Sequence, residues 1–354
     1  MSLLEKYVLI QENEAFRFAR ECFIKVGVPR EDADIVADHL VLASLRGVDS
    51  HGLIRIPYYI EGIKRGLVKP SSEIKILSQG PSHAMIDGGG GLGIPIAVRA
   101  TKLSLEKARR SGISAVGVRN LGHVGMLAYY TLMAIREGII SIVMANAPAI
   151  VAPWGGVDRI FGTNPISIGF PGQRGKGIVI DMATSFIAHF KIRLAAMKGE
   201  RIPEGAALNK EGRPTTDPKE ALEGVLLPFG GYKGYALSLA IEVLSSILLG
   251  APSSTEIPSH PSTQGGFLAI SIDVGSFRSY SDYLEDLDRL INKIKRSRVA
   301  QGYQEILLPG EPEEREEMKR RSMGIPIDMD TWNLLLKTAE ELNVAPPRIF
   351  AKTG

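Results

Sequence analysis

The sequence predicts an α/β protein whose sheet-forming core is preceded and followed by helical parts. Between His83 and Ile272, short apolar segments alternate with segments in which apolar residues recur every three or four positions. The residues before and after this region show mainly the helical spacing. A chain of 354 residues is long enough for about two domains of roughly 150 residues each, and it can form a hydrophobic core without disulfides.

The N-terminal part, residues 1–75, is predicted to be helical. Apolar residues recur at helical spacing over residues 13–46. A further helix is expected over residues 53–64, with Asp49 or Ser50 as its N-cap.

The central part, residues 76–275, is predicted to be the α/β core. Its stretch 203–220 is polar and rich in Gly, Pro and Thr, which predicts a loop over one face of the core. The predicted strands are 84–86, 114–118, 139–145, 166–170, 178–180 and 268–272. The predicted helices are 94–110, 126–137, 185–198 and 234–249.

The C-terminal part, residues 276–354, is more charged and again helical in pattern. Helices are predicted over 280–297 and 329–342, with an extended segment at 306–309 between them.

Composition and charge exclude several classes of protein. The chain has 42 Lys and Arg against 39 Asp and Glu, and these charges are scattered, so nucleic acid is not an expected partner. The lone Cys22 can form no intramolecular disulfide, which predicts a protein of the reducing cytoplasm. The first residues lack a signal-peptide pattern. The apolar runs 138–157 and 235–249 are interrupted, so no membrane span is expected.

The segment Asp49-Ser50-His51-Gly52, followed by Arg55, combines a proton-transferring side chain with an anion-binding one. If a helix starts near Leu53, His51 and Arg55 are one turn apart and can face the same ligand. Arginine at a helix N-terminus suits a carboxylate, and a neutral imidazole can take the proton of a neighbouring hydroxyl. The alternative is a capped surface helix with an unrelated histidine.

A second histidine, His123, stands between Gly122 and Gly125 just after the predicted strand 114–118. Open α/β sheets bind their ligands at the carboxyl ends of strands. The alternative is a loop histidine with a structural role.

Three turns in the core suggest a ligand of nucleotide size. Asp181-Met182-Ala183-Thr184-Ser185 is expected to lead from a strand into a helix N-terminus, where amides and hydroxyls can bind pyrophosphate. Gly230-Gly231-Tyr232-Lys233-Gly234 also opens a predicted helix, with Lys233 available to an anion. Gly162-Thr163-Asn164-Pro165 is the third turn. An ordinary N-cap explains the first of these turns equally well.

The segment 88–93 matches the pattern G-x-G-x-x-G of a Rossmann dinucleotide fingerprint. That fingerprint requires an acidic residue about 20 positions later, and none occurs between Glu106 and Glu137. The match therefore reflects either chance or a site in which Arg119 binds a 2′-phosphate. The chain has no sequence motif for a metal site or a nucleophilic serine.

Six motifs occur in the order and spacing of one known family, and they cover nearly the whole chain. The chain resembles the malate/L-lactate dehydrogenase family, which also includes sulfolactate, ureidoglycolate and 2,3-diketogulonate dehydrogenases. The motifs are Asp49-Ser50-His51-Gly52-x-x-Arg55, Gly162-Thr163-Asn164-Pro165, Asp181-Met182-Ala183-Thr184-Ser185, Lys233-Gly234-Tyr235, Leu308-Pro309-Gly310-Glu311 and Gly324-Ile325-Pro326.

The resemblance implies a non-Rossmann mixed-sheet core, helical ends that pack together, and a homodimer with its active site near the subunit interface. The segment 88–93 then becomes a structural turn. His51 would transfer the proton, Arg55 would bind the substrate carboxylate, and His123 would be a second active-site histidine. The implied cofactor contacts are Ile180, Asp181, Met182, Ala183, Thr184, Ser185, Phe186, Tyr232, Lys233, Gly310, Glu311 and Pro312.

The implied reaction is reversible hydride transfer between NAD or NADP and a small 2-hydroxy acid. Malate is the first candidate, and lactate, sulfolactate and a cyclic imino acid are the alternatives. We predict that His51 is the acid/base and that His123 polarises the carbonyl oxygen, with the reverse assignment open. The choice between NAD and NADP also stays open, with Lys191, Arg193, Arg201 and Arg119 as candidate phosphate partners. A non-catalytic dinucleotide sensor and a metallohydrolase are the alternatives from other classes.

Overall fold

The computed structural model describes residues 7–352, except for the side chains of residues 194, 197, 198 and 352. The first elements are β1 (Tyr7–Ile10), α1 (Glu12–Lys25), α2 (Arg30–Leu45), α3 (Arg55–Lys64), β2 (Lys75–Gln79), β3 (His83–Gly91), α4 (Gly93–Ser111), β4 (Ile113–Leu121), α5 (Ala128–Arg136), β5 (Ile139–Ala145), β6 (Ile166–Pro171) and β7 (Gly177–Met182). Next come α6 (His189–Lys198), β8 (Ala207–Leu208), β9 (Pro214–Thr215), α7 (Pro218–Glu223), β10 (Val225–Leu226) and α8 (Tyr232–Ser245). The last are β11 (Phe267–Asp273), α9 (Tyr280–Lys295), α10 (Glu311–Met323), β12 (Ile325–Asp328), α11 (Met329–Leu342) and β13 (Ile349–Lys352).

The main sheet of the described chain has seven strands in the order β2-β3-β4-β11-β5-β6-β7. β3 and β4 run parallel, and the other neighbouring strands in this sheet run antiparallel. A Rossmann fold is built on a mostly parallel sheet. The mixed sheet therefore confirms the predicted non-Rossmann fold.

The two faces of the main sheet are covered to different degrees. Alternate side chains of a strand point to opposite faces, and one set, which includes Val116, Val143 and Phe267, is buried under α4 and α5. Burying each such side chain contributes roughly 1.5–3 kcal/mol, so this face fixes the two helices. α8 covers part of the other face around Met144 and Leu268. The rest of that face keeps partly exposed apolar side chains, namely Ile140, Ile142, Ile168, Phe170, Ile178, Ile180, Ile270 and Ile272.

A second sheet, in the order β12-β1-β13, joins the two ends of the chain. β1 is its central strand and runs antiparallel to both neighbours. Beside it, the N-terminal helices and α11 share one apolar core that includes Phe18, Phe23, Trp332 and Leu335. The two terminal parts therefore pack together as one unit.

The N-terminal part is helical as predicted, but the start of α3 differs. The helical pattern over 13–46 forms two helices, α1 and α2, because Pro29 cannot continue a helix and instead stands at the N-cap of α2. The predicted helix 53–64 begins at Arg55, and a short 3₁₀ turn over Asp49–His51 precedes it. Neither Asp49 nor Ser50 caps α3, whose N-cap is Ile54.

The core and the C-terminal part also differ from the prediction. α6 begins at His189 and not at Ser185. The predicted loop 203–220 contains β8, β9 and the start of α7, and β8 pairs with both β9 and β10 in a small sheet. α10 and the terminal strands were not predicted from the sequence.

By length and composition alone, one helical segment of the described chain, Tyr232–Leu249, is apolar enough to cross a membrane. Buried core helices pass the same test. The segment covers part of the main sheet, and its carboxylate Glu242 is buried there. The absence of a membrane span stays a prediction.

Candidate active site

Arg55, the first residue of α3, is held by two backbone carbonyl groups. Its Nε donates to Ser50 O at 2.6 Å, and its Nη1 donates to Pro261 O at 3.4 Å. No carboxylate pairs with Arg55 among the described residues. Burial lowers the pKa of Arg55, but an arginine stays protonated at any physiological pH. The guanidinium is therefore fixed in place with its positive charge available to an anionic ligand.

His51 and His123 stack on one another although they come from different parts of the chain. Their ring centroids lie 5.6 Å apart, with 22° between the ring planes. His51 ends the 3₁₀ turn, whereas His123 follows β4. The structure therefore brings the two predicted histidines together. It also corrects the expected geometry, because His51 lies in the turn before α3 and does not share a helix with Arg55.

Hydrogen bonds fix the protonation pattern of His123. Its Nδ1 accepts from the Gly125 N–H at 3.2 Å, and Tyr59 Oη lies 2.6 Å from the same nitrogen. A backbone N–H can only donate, so Nδ1 carries the lone pair and Nε2 carries the proton of the neutral ring. Tyr59 then donates its hydroxyl proton to Nδ1 as well. His123 is thus preset as a hydrogen-bond donor through Nε2.

His51 can adopt the opposite tautomer, with its proton on Nδ1. Its Nδ1 lies 2.9 Å from Ser50 Oγ, which can accept a hydrogen bond from it. In that tautomer Nε2 is free to accept a proton. Burial, and then the charge of Arg55, lower the pKa of His51 to about 3, and burial lowers the pKa of His123 well below its usual value. Both rings are therefore neutral near pH 7.

Tyr59 is a further residue of the site that the sequence motifs do not predict, although its spacing from Arg55 is a signal. It follows Arg55 by four residues on α3, which places both side chains on one side of that helix. Tyr59 is 1% exposed. Its residue type alone does not indicate a functional site, because a buried aromatic residue normally belongs to the core. Its contact with His123 joins positions 64 residues apart, and no local pattern predicts that.

One segment after α8 supports both Arg55 and His123. Pro261 O accepts from Arg55, and Ser262 O accepts from the His123 backbone N–H at 2.8 Å. The imidazole of His260 lies 2.8 Å from Ser262 Oγ and holds this segment in shape. No local sequence pattern predicts this support.

The predicted cofactor segments converge around the end of β7. The Phe229 N–H donates to Thr184 O at 3.0 Å, which joins the turn before Tyr232 and Lys233 to residues 180–186. On the other side, the Val179 N–H donates to Pro309 O at 3.3 Å, next to the segment 310–312. The structure thus places the three segments side by side.

Several individual side chains in these segments are already engaged. Thr184 Oγ1 donates to Thr163 O, Ser185 Oγ donates to Ile187 O, and Asp181 accepts from the Ala128 N–H. Because α6 begins only at His189, the expected helix N-terminus does not lie at Ser185. The interpretation of this turn as a pyrophosphate site at a helix start is therefore wrong, although contacts of the segment with a cofactor stay predicted. Glu311 is bound by Lys295 and Arg315, while Lys233 is exposed without an ion pair among the described residues.

The glycine-rich segment 88–93 is not a separate turn, because residues 88–91 are the irregular end of β3 and Gly93 is the first residue of α4. Its backbone groups bind protein, as the Gly89 N–H donates to Asp87 and Ser72 Oγ donates to Gly88 O. Gly93 begins α4 so close to the Gly122 carbonyl that a Cβ atom would clash with it. Arg119, proposed for a 2′-phosphate, is paired with Asp87 at 3.3 Å.

Within the described residues, no group of three or more His, Cys, Asp or Glu side chains could hold a metal ion. His51 and His123 lack a third ligand of this kind nearby, so the geometry gives no support to the metallohydrolase alternative.

Comparisons with known proteins identify the family of the chain. The family model described as malate/L-lactate dehydrogenase matches residues 10–336. An L-sulfolactate dehydrogenase from Methanocaldococcus jannaschii is 43% identical in an alignment of 342 positions that covers 95% of this chain and 98% of that protein. A malate dehydrogenase from Pyrococcus abyssi is 40% identical in an alignment of 360 positions, gaps included, that covers 98% of this chain and 97% of that protein.

Solved structures show the same likeness. Malate dehydrogenase from Entamoeba histolytica superposes with a TM-score of 0.93 at 31% identity, covering 97% of this chain and 100% of that one. Among more distant relatives, a ureidoglycolate dehydrogenase (NAD(+)) from Escherichia coli is 32% identical over 89% of this chain. A (2R)-3-sulfolactate dehydrogenase (NADP(+)) from Chromohalobacter salexigens is 35% identical over 80% of it. With its mixed sheet, its stacked histidines and these matches, the chain belongs to the malate/L-lactate dehydrogenase family.

Proposed function

We propose that the protein is an NAD- or NADP-dependent 2-hydroxyacid dehydrogenase that interconverts a 2-hydroxy acid and its 2-keto acid. The observation that carries this proposal is the stacked pair His51 and His123 beside the fixed charge of Arg55. These three side chains supply a proton acceptor, a hydrogen-bond donor and a carboxylate anchor.

Each of the three residues has one role in the oxidation direction. Arg55 binds the substrate carboxylate and so holds the C2 hydroxyl at a fixed distance from the histidines. His51 takes the hydroxyl proton on Nε2, while His123 donates a hydrogen bond from Nε2 to the same oxygen. When bound, the nicotinamide supplies the hydride acceptor. The assignment of His51 as the base follows from the preset proton on His123 Nε2.

The low pKa of His51 is suited to this role once substrate is present. In the free protein, Arg55 disfavours a proton on His51. A bound carboxylate compensates the charge of Arg55, so the affinity of His51 for a proton rises when the anionic substrate arrives. The base is thus neutral before binding and stronger afterwards.

The residues around the end of β7 fit a dinucleotide. Phe186 and Tyr232 expose 43% and 61% of their surfaces there, which provides flat apolar contacts for rings. The exposed ammonium group of Lys233 can bind a phosphate. These residues would hold the cofactor next to the histidines, since Asp181 binds the Ala128 N–H just after the His123 loop.

The substrate we propose is a dianion, malate or sulfolactate. His189 and Arg193 are one turn apart on α6, and both are close enough to Arg55 to affect pKa values in the site. Arg193 is exposed and has no carboxylate partner among the described residues. This positive charge beside Arg55 suits a second carboxylate or a sulfonate, and lactate would leave it unused.

The proposal is tested by following reduced nicotinamide absorbance with NAD or NADP and malate, sulfolactate or lactate. We expect the highest kcat/KM with a dianion.

The variant Arg193→Gln should raise KM for the dianion about tenfold, as expected from one lost charge contact of about 1.4 kcal/mol, and should leave KM for lactate unchanged. Lys210→Gln, an exposed change elsewhere, is the matched control. Dinucleotide binding without turnover on any of the acids would instead favour the sensor.

We also propose that the protein is a homodimer in which a second copy covers the open sheet face and the outer side of α8. Leu239 and Val243 lie four residues apart on that helix, Ile247 lies in the short 3₁₀ turn just after it, and the three are 42%, 45% and 63% exposed. Together with the partly exposed isoleucines of the sheet, they provide more apolar surface than a monomer normally leaves in water. Light scattering should give twice the chain mass of 38.4 kDa, and Val243→Asp should give the monomer. Met318→Asp, on exposed α10, is the control, and a monomeric wild type contradicts the proposal.

A further inference from the structure

His39 on α2 is a fully buried histidine behind the active site that takes no part in the reaction proposed above. Its side chain is 0% exposed, and its ring lies 4.7 Å from the ring of Tyr129 and 6.0 Å from that of Tyr130. Burial lowers the pKa of His39 to about 4, so the ring is neutral. A buried polar ring in a helix interior requires an explanation.

His39 is tied to the loop that carries His123. Its Nε2 lies 3.2 Å from Met126 O, and because a carbonyl only accepts, Nε2 must carry the proton. Nδ1 of the same ring is buried without a hydrogen-bond partner in the described structure. Among the described residues, the His39 ring therefore makes one hydrogen bond, which holds the Met126 carbonyl.

The contact extends to Gly125. This residue has φ +71°, and a Cβ atom there would clash with the His39 ring, so the backbone lies directly against the imidazole. The Gly125 N–H points to His123 Nδ1 at 3.2 Å. His39 therefore touches Gly125, whose N–H is one of the two donors to His123 Nδ1, and the neighbouring Met126.

We infer that His39 is a positioning residue that keeps the proton of His123 on Nε2. It does so by fixing Met126 and Gly125, so that the Gly125 N–H blocks protonation at His123 Nδ1. The inference rests on the proposed function only for its kinetic test.

The charged and titratable groups that face His39 and His123 are few in the described chain. Tyr129 donates to Asp38 at 2.6 Å, and Tyr130 donates to Val124 O at 2.5 Å. Burial raises the pKa values of Tyr129 and Tyr130 well above neutrality, so both phenols stay protonated through the range of the test. His51, Arg55 and Tyr59 also face His123: Tyr59 Oη lies 2.6 Å from His123 Nδ1, and burial raises the pKa of Tyr59, so this phenol stays protonated as well.

The test compares His39→Gln with His39→Phe. Glutamine can place its Nε2 close to the position of imidazole Nε2 and donate to Met126 O, whereas phenylalanine keeps the ring and loses the donor. Tyr129→Phe is the matched control, because it keeps the ring against His39 and removes a hydrogen bond outside the loop. If His39→Phe fails to fold, His39→Asn, whose amide is one carbon too short to reach Met126, replaces it.

The first readout is the nitrogen NMR spectrum of histidine side chains, with the His123 signal identified by its loss in His123→Asn. It needs no turnover, so it separates this inference from the proposed function. We expect the Nε2–H tautomer of His123 in the wild type and in His39→Gln. His39→Phe should show a mixture of tautomers. An unchanged His123 signal in His39→Phe would overturn the inference.

The second readout is the pH profile of kcat. In His39→Phe, His123 can be protonated on Nδ1, so the acid limb should move to higher pH by about one unit. The value of kcat should fall about tenfold, which is part of the roughly 10²–10⁴-fold rate enhancement that acid–base groups contribute. KM for the acid should change little because Arg55 is intact. His39→Gln and Tyr129→Phe should resemble the wild type. Equal losses in His39→Phe and His39→Gln, with an unshifted profile, would show a merely structural role.

Discussion

At the scale of single residues, His51 is expected to carry most of the proton transfer. His51→Asn keeps a hydrogen-bonding group of similar size but removes the base, so kcat should fall by about 10²–10⁴. Dinucleotide affinity, measured by fluorescence titration, should stay within about twofold, since a residue away from the cofactor contributes little to its binding. Unchanged turnover in this variant would transfer the role of the base to His123.

Arg55 is expected to act through geometry as well as charge. Arg55→Lys keeps the charge but loses the forked donors, two of which are used on Ser50 O and Pro261 O. We expect kcat/KM for the 2-hydroxy acid to fall by about 10²-fold or more, with kcat and KM both affected. Lys64→Arg, at the exposed end of α3, is the control. Equal activity of Arg55→Lys would mean that a point charge is sufficient.

The pH dependence of oxidation follows from the lowered pKa of His51. A protonated His51 cannot accept the hydroxyl proton. Because the pKa of His51 is about 3, the ring is neutral at pH values well above 3. The acid limb of kcat/KM, which reports the free enzyme, should therefore lie below pH 6.5, the usual value for histidine. Reduction of the keto acid needs the protonated form and should become faster as the pH falls. An oxidation limb above pH 7 would contradict the neutral site.

The residues that carry the site were predictable to different extents. His51, Arg55 and His123 stand out because their side chains have chemistry that cores rarely need. Tyr59 and His39 act through contacts with residues 64 and 87 positions away, and one sequence contains no local trace of such contacts. Supporting residues are thus harder to predict than the reactive ones.

At the scale of elements, α8 is held by a buried carboxylate. Glu242 accepts from Asn164 Nδ2 at 2.7 Å and from the backbone N–H and hydroxyl of Ser254 at 2.7 and 2.6 Å. Glu242→Gln leaves one of these donors facing an amide N–H, so the free energy of unfolding should fall by about 2–4 kcal/mol. Denaturant unfolding measures it, with the exposed Glu200→Gln as control. An unchanged midpoint would mean that water or a rotated amide replaces the carboxylate.

Regular elements were predicted better than their ends. β5 and α11 have the predicted bounds, because uninterrupted apolar patterns define them. The predicted start of α6 was wrong. The backbone N–H groups of residues 184 and 186 donate to Thr163 O and Leu227 O, so this segment cannot join a helix. The strands at 207–208 and 214–215 are too short to show a period. Long-range pairing thus decides what local propensity leaves open.

At the scale of the whole molecule, stability should fall on acidification. Burial lowers the pKa of His39 from 6.5 to about 4, and those of His51 and His123 are also lowered. Between pH 6.5 and about 4, the unfolded chain binds more protons at these histidines, so the folded state loses free energy as pH falls. For His39 this amounts to about 2 kcal/mol by pH 5 and about 3 kcal/mol by pH 4, at about 1.36 kcal/mol per pH unit below 6.5. The unfolding free energy should therefore be lower at pH 5 than at pH 7, and the difference should be smaller in His39→Phe. An identical pH slope in that variant would contradict this account.

The segment that supports Arg55 and His123 has a consequence for motion. Arg55 belongs to the terminal helical unit and His123 to the loop after β4 of the main sheet, and the adjacent carbonyls of Pro261 and Ser262 bind both. If the two units tilt against each other when a ligand enters, this segment moves the anchor and the imidazole together. The distance between the Arg55 guanidinium and the His123 imidazole, which decides which acids can react, is thereby kept constant while the two units move.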